Sequence, residues 1–155
     1  MKHISLILPA VLLSCIGVKH TKEDLLRAIR VIECGNVESP PDGDRGNAIG
    51  HYQIWRAYWI DATEFDKSIG GRYEDCRDRD YAEKIVDAYM RRYCPDAWSH
   101  ETLDPEKVAR IHNGGPKGHK KKATEKYWQK VSSALVQNED GHDLRGKSQK
   151  GPASH

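Results

Sequence analysis

The sequence predicts an α+β domain, mainly helical, with one small β-hairpin set after the first helix. Three observations lead there. Apolar residues recur at helical spacing in five separate segments. A stretch rich in Pro, Gly, Asp and Asn, residues 36–47, follows the first of these and admits no long helix. The length, 155 residues, suits one domain rather than two, and there are no internal repeats.

The first helix is predicted over Thr21–Cys34. Thr21 can cap it and Asp24 completes a capping box. Leu25, Ala28, Ile29 and Ile32 form one apolar stripe, and Gly35 is the stop. Glu33 therefore lies in the last turn of an apolar helix. Pro40-Pro41-Asp42-Gly43-Asp44 is turn chemistry, predicting an irregular hairpin that runs into 48–54. An aromatic helix follows Gln53, carrying Trp55, Tyr58, Trp59 and Ala62. A charged connection, 66–79, leads to a helix over Asp80–Tyr93 with Ala82, Ile85, Val86, Tyr89, Met90 and Tyr93 inward, ended by Pro95. Asp104-Pro105 reads as an N-cap and first helical position. That helix stops at Asn113-Gly114-Gly115-Pro116. The last helix is expected over Ala123–Leu135, with Tyr127, Trp128, Val131 and Leu135. From Gln137 apolar periodicity ceases, so 20–136 is expected to be the folded domain and 137–155 a disordered tail.

Residues 1–17 read as an export signal: Lys2 and His3, the uncharged run Ile4–Ile16, then small residues at Ser14 and Gly17. Pro9 argues against a buried helix there. Leu12-Leu13-Ser14-Cys15 also resembles a lipobox, giving two destinations: secreted or periplasmic, or lipid-anchored through Cys15. The run is too short for a comfortable membrane span, so the mature chain is expected to have none. In an exported chain a disulfide is expected, and Cys76 and Cys94, which enclose the apolar segment 81–93, are the natural pair. Cys34 is then left free beside Glu33. There is no CxxC pair and the eight histidines are scattered, so no metal site and no cofactor are expected. A net charge of +2 makes no case for a nucleic-acid partner. The basic residues gather instead at Lys117, Lys120, Lys121, Lys122, Lys126 and Lys130. Such a run is a solvated face or, functionally, a means of steering an anionic polymer.

The pattern that points to chemistry is an acid ending an apolar helix, followed by an acid in a polar turn. Glycosidic hydrolysis needs two carboxylates in different protonation states. Apolar surroundings and the negative end of a helix dipole both favour a protonated Glu33, suited to general acid. A polar, glycine-flanked turn suits an ionised partner, Asp44 in Gly43-Asp44-Arg45-Gly46, with Asp42 as the alternate. Alone the pair is a weak signal, because glutamates at helix ends are commonly solvated and aspartates commonly cap turns.

Five ordered blocks add to it. They are Gly43-Asp44-Arg45-Gly46 with Gly50-His51-Tyr52-Gln53-Ile54; Ala57-Tyr58-Trp59-Ile60-Asp61-Ala62; Tyr89-Met90-Arg91-Arg92-Tyr93; Ala109-Arg110-Ile111-His112-Asn113-Gly114-Gly115-Pro116; and Tyr127-Trp128. With the helical glutamate ahead of them, residues 29–131 resemble the invertebrate-type lysozyme (destabilase) family. The resemblance implies a lysozyme-like fold and a secreted, monomeric muramidase of antimicrobial type. It would hydrolyse β-1,4 bonds between N-acetylmuramic acid and N-acetylglucosamine in peptidoglycan. The family's glutamate falls on Glu33 and its aspartate on Asp44. Glu38, in Val37-Glu38-Ser39, sits in a similar local pattern but lies beyond Gly35 and close to Asp44. A lytic transglycosylase and a catalytically silent glycan-binding protein are the competing readings. The chain departs from the family in its few cysteines, which places it with a cysteine-poor branch. The serine and lysine that the family's isopeptidase activity uses are replaced by Asn47 and Trp55, which argues against that activity.

Tyr52, Gln53, Tyr58, His112 and Asn113 are the candidate substrate-binding residues, with Trp59 beside them. Aromatic faces and amides suit sugars. The plainer reading of Tyr58 and Trp59 is core packing, and that of His112 and Asn113 is capping of a helix end. Asp61 reads most simply as a helix-surface acid.

Overall fold

A computed structural model describes the backbone of residues 19–145 and the side chains of 19–137. The expected export signal, residues 1–17 with Cys15, and residues 146–155 lie outside this range. The helices are α1 (Lys22–Cys34), α2 (Arg56–Phe65), α3 (Arg79–Tyr93), α4 (Pro105–Gly114) and α5 (Glu125–Arg145). The sheet is one antiparallel pair, β1 (Ala48–Ile49) with β2 (Ile54–Trp55), in the register Ala48–Trp55 and Ile49–Ile54. This is a mainly helical α+β fold. No described helix is long and apolar enough to cross a membrane.

Local chemistry accounts for the helix ends. Thr21 accepts from the Asp24 amide while Asp24 Oδ2 accepts from the Thr21 amide at 3.0 Å, satisfying two otherwise unpaired donors. At the other end Gly35 turns left-handed (φ 66°), and the amides of Gly35 and Asn36 return to the carbonyls of Val31 and Arg30. Asp104 caps α4 by accepting from the Lys107 amide, with Pro105 in the first turn, where its missing donor costs nothing.

Three features differ from the sequence-based expectation. The hairpin lies downstream of 36–47: its strands are 48–49 and 54–55, and only a single bridge, Gly43 to Ala48, reaches back. Residues 44–46 form a tight 3₁₀ turn instead, with Asp44 and Arg45 left-handed (φ 44° and 58°). The last helix passes Leu135 and runs to Arg145, through the first part of the stretch expected to be disordered. Extending a helix already nucleated and packed gains one backbone bond per residue and needs no apolar face. Finally, Cys76 and Cys94 are free buried thiols, not a disulfide. Cys76 precedes α3 and Cys94 caps its far end, so a rigid 15-residue helix, about 22 Å long, separates them in the chain. A disulfide needs Cα atoms within roughly 7 Å. Cys94 instead donates to the Met90 sulfur at 3.6 Å. Cys34 is also free, as expected, and donates to the Arg30 carbonyl at 3.3 Å.

The core joins α1, the hairpin and α2–α5 through Leu25, Ile29, Ile54, Ala62, Ile85, Met90, Ile111 and Val131. Tyr58 stacks on Tyr89 with ring centroids 3.5 Å apart. Helix α1 packs on α5, α2 on α3, and α4 on α5. Gly50, between the strands, is left-handed (φ 70°), and a Cβ there would fall 2.0 Å from the Cys76 carbonyl oxygen. Gly50→Ala is expected to destabilise the fold by about 3 kcal/mol or more, measured by urea unfolding. Reductant is expected to leave the thermal midpoint unchanged, where a structural disulfide would lower it.

Candidate active site

Glu33 is held where α1 ends against α4 and α5. Its Oε1 accepts from the Tyr127 hydroxyl of α5 at 2.6 Å. His112 Nε2, from the last turn of α4, stands 3.7 Å from the same oxygen. The side chain is 17% exposed. Burial pushes its carboxyl above the usual range, opposed by the Tyr127 hydrogen bond and, more weakly, by the Lys130 charge.

His112 is itself enclosed. Nε2 lies 3.1 Å from the Tyr52 carbonyl, and Nδ1 lies 3.4 Å from the Tyr58 hydroxyl. A carbonyl only accepts, which assigns the hydrogen to Nε2 and leaves Nδ1 to accept from Tyr58. Burial pushes the imidazole down to about 4, so it is neutral near pH 7 and its contact with Glu33 is not an ion pair there. Tyr52 is fixed in turn. It is fully buried, accepts from Arg30 Nη1 at 2.6 Å and donates to Glu83 Oε1 at 2.8 Å. Arg30 also pairs with Glu83 at 2.8 Å.

The other candidates fall elsewhere. Asp44 is exposed on the 3₁₀ turn, and its carboxylate has no hydrogen bond or ion pair among the described residues. Asp42 is engaged: both its oxygens are held by the Arg77 guanidinium, Nε to Oδ1 at 3.1 Å. Glu38 is exposed on the loop after Gly35. With His51 and Arg77 it lines an open cavity of about 520 Å³ that does not include Glu33. Tyr52 and Tyr58 belong to the core rather than to a groove wall, a correction to their sequence-based assignment, because their rings are enclosed and their hydroxyls spent inside. Gln53 is left-handed (φ 46°) and its amide braces the hairpin, donating to the carbonyls of Gly50 at 2.9 Å and Pro41 at 3.2 Å. Asn113 is exposed at the end of α4. Trp59 donates to the Tyr81 hydroxyl at 2.9 Å. Asp61 is not a free surface acid, since it accepts from the Tyr93 hydroxyl at 2.9 Å.

Tyr127 stands at the site, although sequence reasoning put it in a core stripe and gave it no role there. Its partner lies 94 positions away. The available signal was its place in the last resemblance block.

The Destabilase family matches residues 13–134. The chain belongs to the destabilase family. It is 37% identical to a lysozyme of Ostrea edulis over 102 residues, which is 64% of this chain and 69% of that one. It is 36% identical to invertebrate-type lysozyme 6 of Caenorhabditis elegans over 120 residues, 72% of this chain and 86% of that one. Against lysozyme 1 of Crassostrea virginica it is 39% identical but spans only 45% of that longer protein. Its fold is similar to the crystal structure of Tapes japonica lysozyme, with a TM-score of 0.58 and 31% identity over 70% of this chain and 86% of that one. The expected lysozyme-like fold is thus the observed one. The paucity of cysteines sets this family member on a fold without bridges among its described residues.

The two buried groups give opposite pH dependences. Glu33, raised on folding, contributes stability below its unfolded value that is lost as pH rises through its folded one. Glu33→Gln is therefore expected to raise the thermal midpoint at pH 7 and to have little effect below pH 4. His112, lowered on folding, contributes stability above its unfolded value near 6.5 that is lost as pH falls towards about 4. That loss amounts to about 3 kcal/mol. Urea titrations across this range should show it in the wild type and not in His112→Gln.

Proposed function

We propose that this destabilase-family chain is a lysozyme of the muramidase type, hydrolysing the β-1,4 bond between N-acetylmuramic acid and N-acetylglucosamine in peptidoglycan. The observation that carries this reading is the half-enclosed Glu33, whose surroundings favour its protonated form, together with an unpaired and exposed Asp44. Glycoside hydrolysis uses one carboxyl group that gives a proton and a second that faces positive charge, and an enclosed and an exposed side chain suit those two roles. The lysozymes among its relatives support the same reading.

In this mechanism Glu33 gives its proton to the glycosidic oxygen as the C–O bond breaks, and the bonding pair leaves with that oxygen. Asp44 faces the positive charge left at the anomeric carbon. Water then enters, and the Glu33 carboxylate accepts its proton. Asp44 suits the second role better than Asp42, whose charge is already neutralised by Arg77. Glu38 lacks the enclosure that makes an acid. Isopeptidase action is not part of this reading. Asn47 has no hydroxyl, and both His112 nitrogens face partners inside the fold. The chain is read as exported through residues 1–17 and active as a monomer.

The test is turbidity loss of a peptidoglycan suspension, with mass analysis of the products. Glu33→Gln is expected to lose at least about 100-fold, the scale of general-acid catalysis. Asp44→Asn should also fall sharply, while Glu38→Gln stays near wild type. Equal lysis by wild type, Glu33→Gln and Asp44→Asn would remove the assignment. Binding without lysis by the wild type would mean a silent glycan-binding protein, and anhydromuramic ends would mean a transglycosylase.

A further inference from the structure

The two contacts at Glu33 are not spread over its carboxyl group. The Tyr127 hydroxyl at 2.6 Å and the His112 Nε2 at 3.7 Å both address Oε1. Oε2 has no hydrogen-bond partner among the described residues. The distance from His112 is too long for a hydrogen bond. Its N–H, however, is committed to the Tyr52 carbonyl and so cannot turn into an acceptor. The oxygen thus meets one donated hydrogen and the positive end of a second N–H dipole.

We propose that Tyr127 is a positioning residue that, with His112 behind it, confines the acid proton of Glu33 to Oε2. Placing the proton on Oε1 would set it against the hydrogen of Nε2. It would also force the Tyr127 hydroxyl to turn away, and the described residues offer no other acceptor for it. With the proton on Oε2 every group is satisfied: Tyr127 donates to Oε1, His112 donates to Tyr52, and the one labile proton sits on the oxygen no protein group occupies. When Oε2 protonates the glycosidic oxygen, the negative charge that forms on the carboxyl group is met at Oε1 by the Tyr127 O–H. That bond becomes charge-assisted and stronger as the proton departs. The interaction therefore gains strength along the reaction coordinate, which is the condition for lowering a barrier rather than merely binding substrate.

This inference rests on Glu33 being the general acid, and its test separates the two. The groups facing Glu33 from the helices packed on it are Tyr127 and Lys130 of α5 and His112 of α4. Tyr127→Phe keeps the ring and removes only the donor. It is expected to lower kcat on a chitooligosaccharide about tenfold with KM unchanged, a part of the 10²–10⁴-fold that a positioned general acid supplies. Because the lost donor favoured the carboxylate, the basic limb of the kcat profile should move to higher pH. On an aryl chitooligoside whose phenolate leaves without protonation, kcat/KM should stay near wild type. A purely structural role would depress kcat/KM on both substrates equally and leave the limb in place, which would overturn the proposal. Neutron diffraction of crystals held at acid pH should find deuterium on Oε2, and deuterium on Oε1 would also overturn it. If Glu33→Gln retains full activity, the acid assignment itself fails. If Glu33→Gln is inactive while Tyr127→Phe matches wild type on both substrates, only the positioning role fails.

Discussion

Helix α1 ends in a left-handed glycine that returns two amides to the carbonyls of Val31 and Arg30, and the position of Glu33 follows from that ending. A helix one turn longer would carry the chain past α4 and α5 instead of turning it into the hairpin. One turn shorter, it would leave Glu33 on a solvated loop, as Glu38 is. Stopping at Gly35 puts the carboxyl in the last turn, where burial disfavours its charge, and brings it against Tyr127 and His112. The same stop releases residues 36–47 to form the turn that carries Asp44. The two carboxylates owe their different environments to one backbone decision.

The imidazole of His112 ties that corner to the rest of the molecule. Its two nitrogens reach Tyr52 of the hairpin and Tyr58 of α2, and its edge faces Glu33 of α1. Tyr52 is anchored in turn by the Arg30–Glu83 pair, which links α1 to α3. Arg30 is mostly buried, so this pair pays a desolvation cost, and its value lies in geometry as much as in stability. Each member is hydrogen-bonded, and a fully satisfied network of this kind holds side chains to one arrangement. The rotamer of the Glu33 carboxyl beside His112 is then set by elements from across the chain.

Much of this was legible in the sequence because it is local. Thr21 with Asp24, Gly35, and Asp104 with Pro105 state their helix ends within a few residues, and those ends stand within a residue of where their caps put them. The location of Glu33 in an apolar last turn is likewise a local fact. What was not legible depends on distant chain. The core stripe of α5 shows that Tyr127 turns inward, but not that its hydroxyl meets a carboxyl 94 positions earlier. Tyr52 and Tyr58 look the same in sequence whether they line a groove or fill a core. Their hydroxyl partners, Glu83 and His112, decide it. The expected Cys76–Cys94 bridge failed for a related reason, since sequence spacing is silent on a helix standing between two thiols.

Without a bridge among its described residues, the domain holds its site by packing. In a chain of this size the hydrophobic core buries a large share of the surface, so bridges are not obligatory as they are in much smaller domains. The tyrosines make the core do more than exclude water. Tyr58 stacks on Tyr89, and Tyr89 lies 4.7 Å from Tyr93. The hydroxyls of Tyr58 and Tyr93 extend from that stack to His112 and Asp61. A leucine in place of Tyr58 would supply comparable burial but no partner for His112 Nδ1, and the ring that faces Glu33 would lose one of its two fixed points. The aromatic core is therefore part of the device that orients the acid, which is why a fold with few cysteines can keep a buried carboxyl in place.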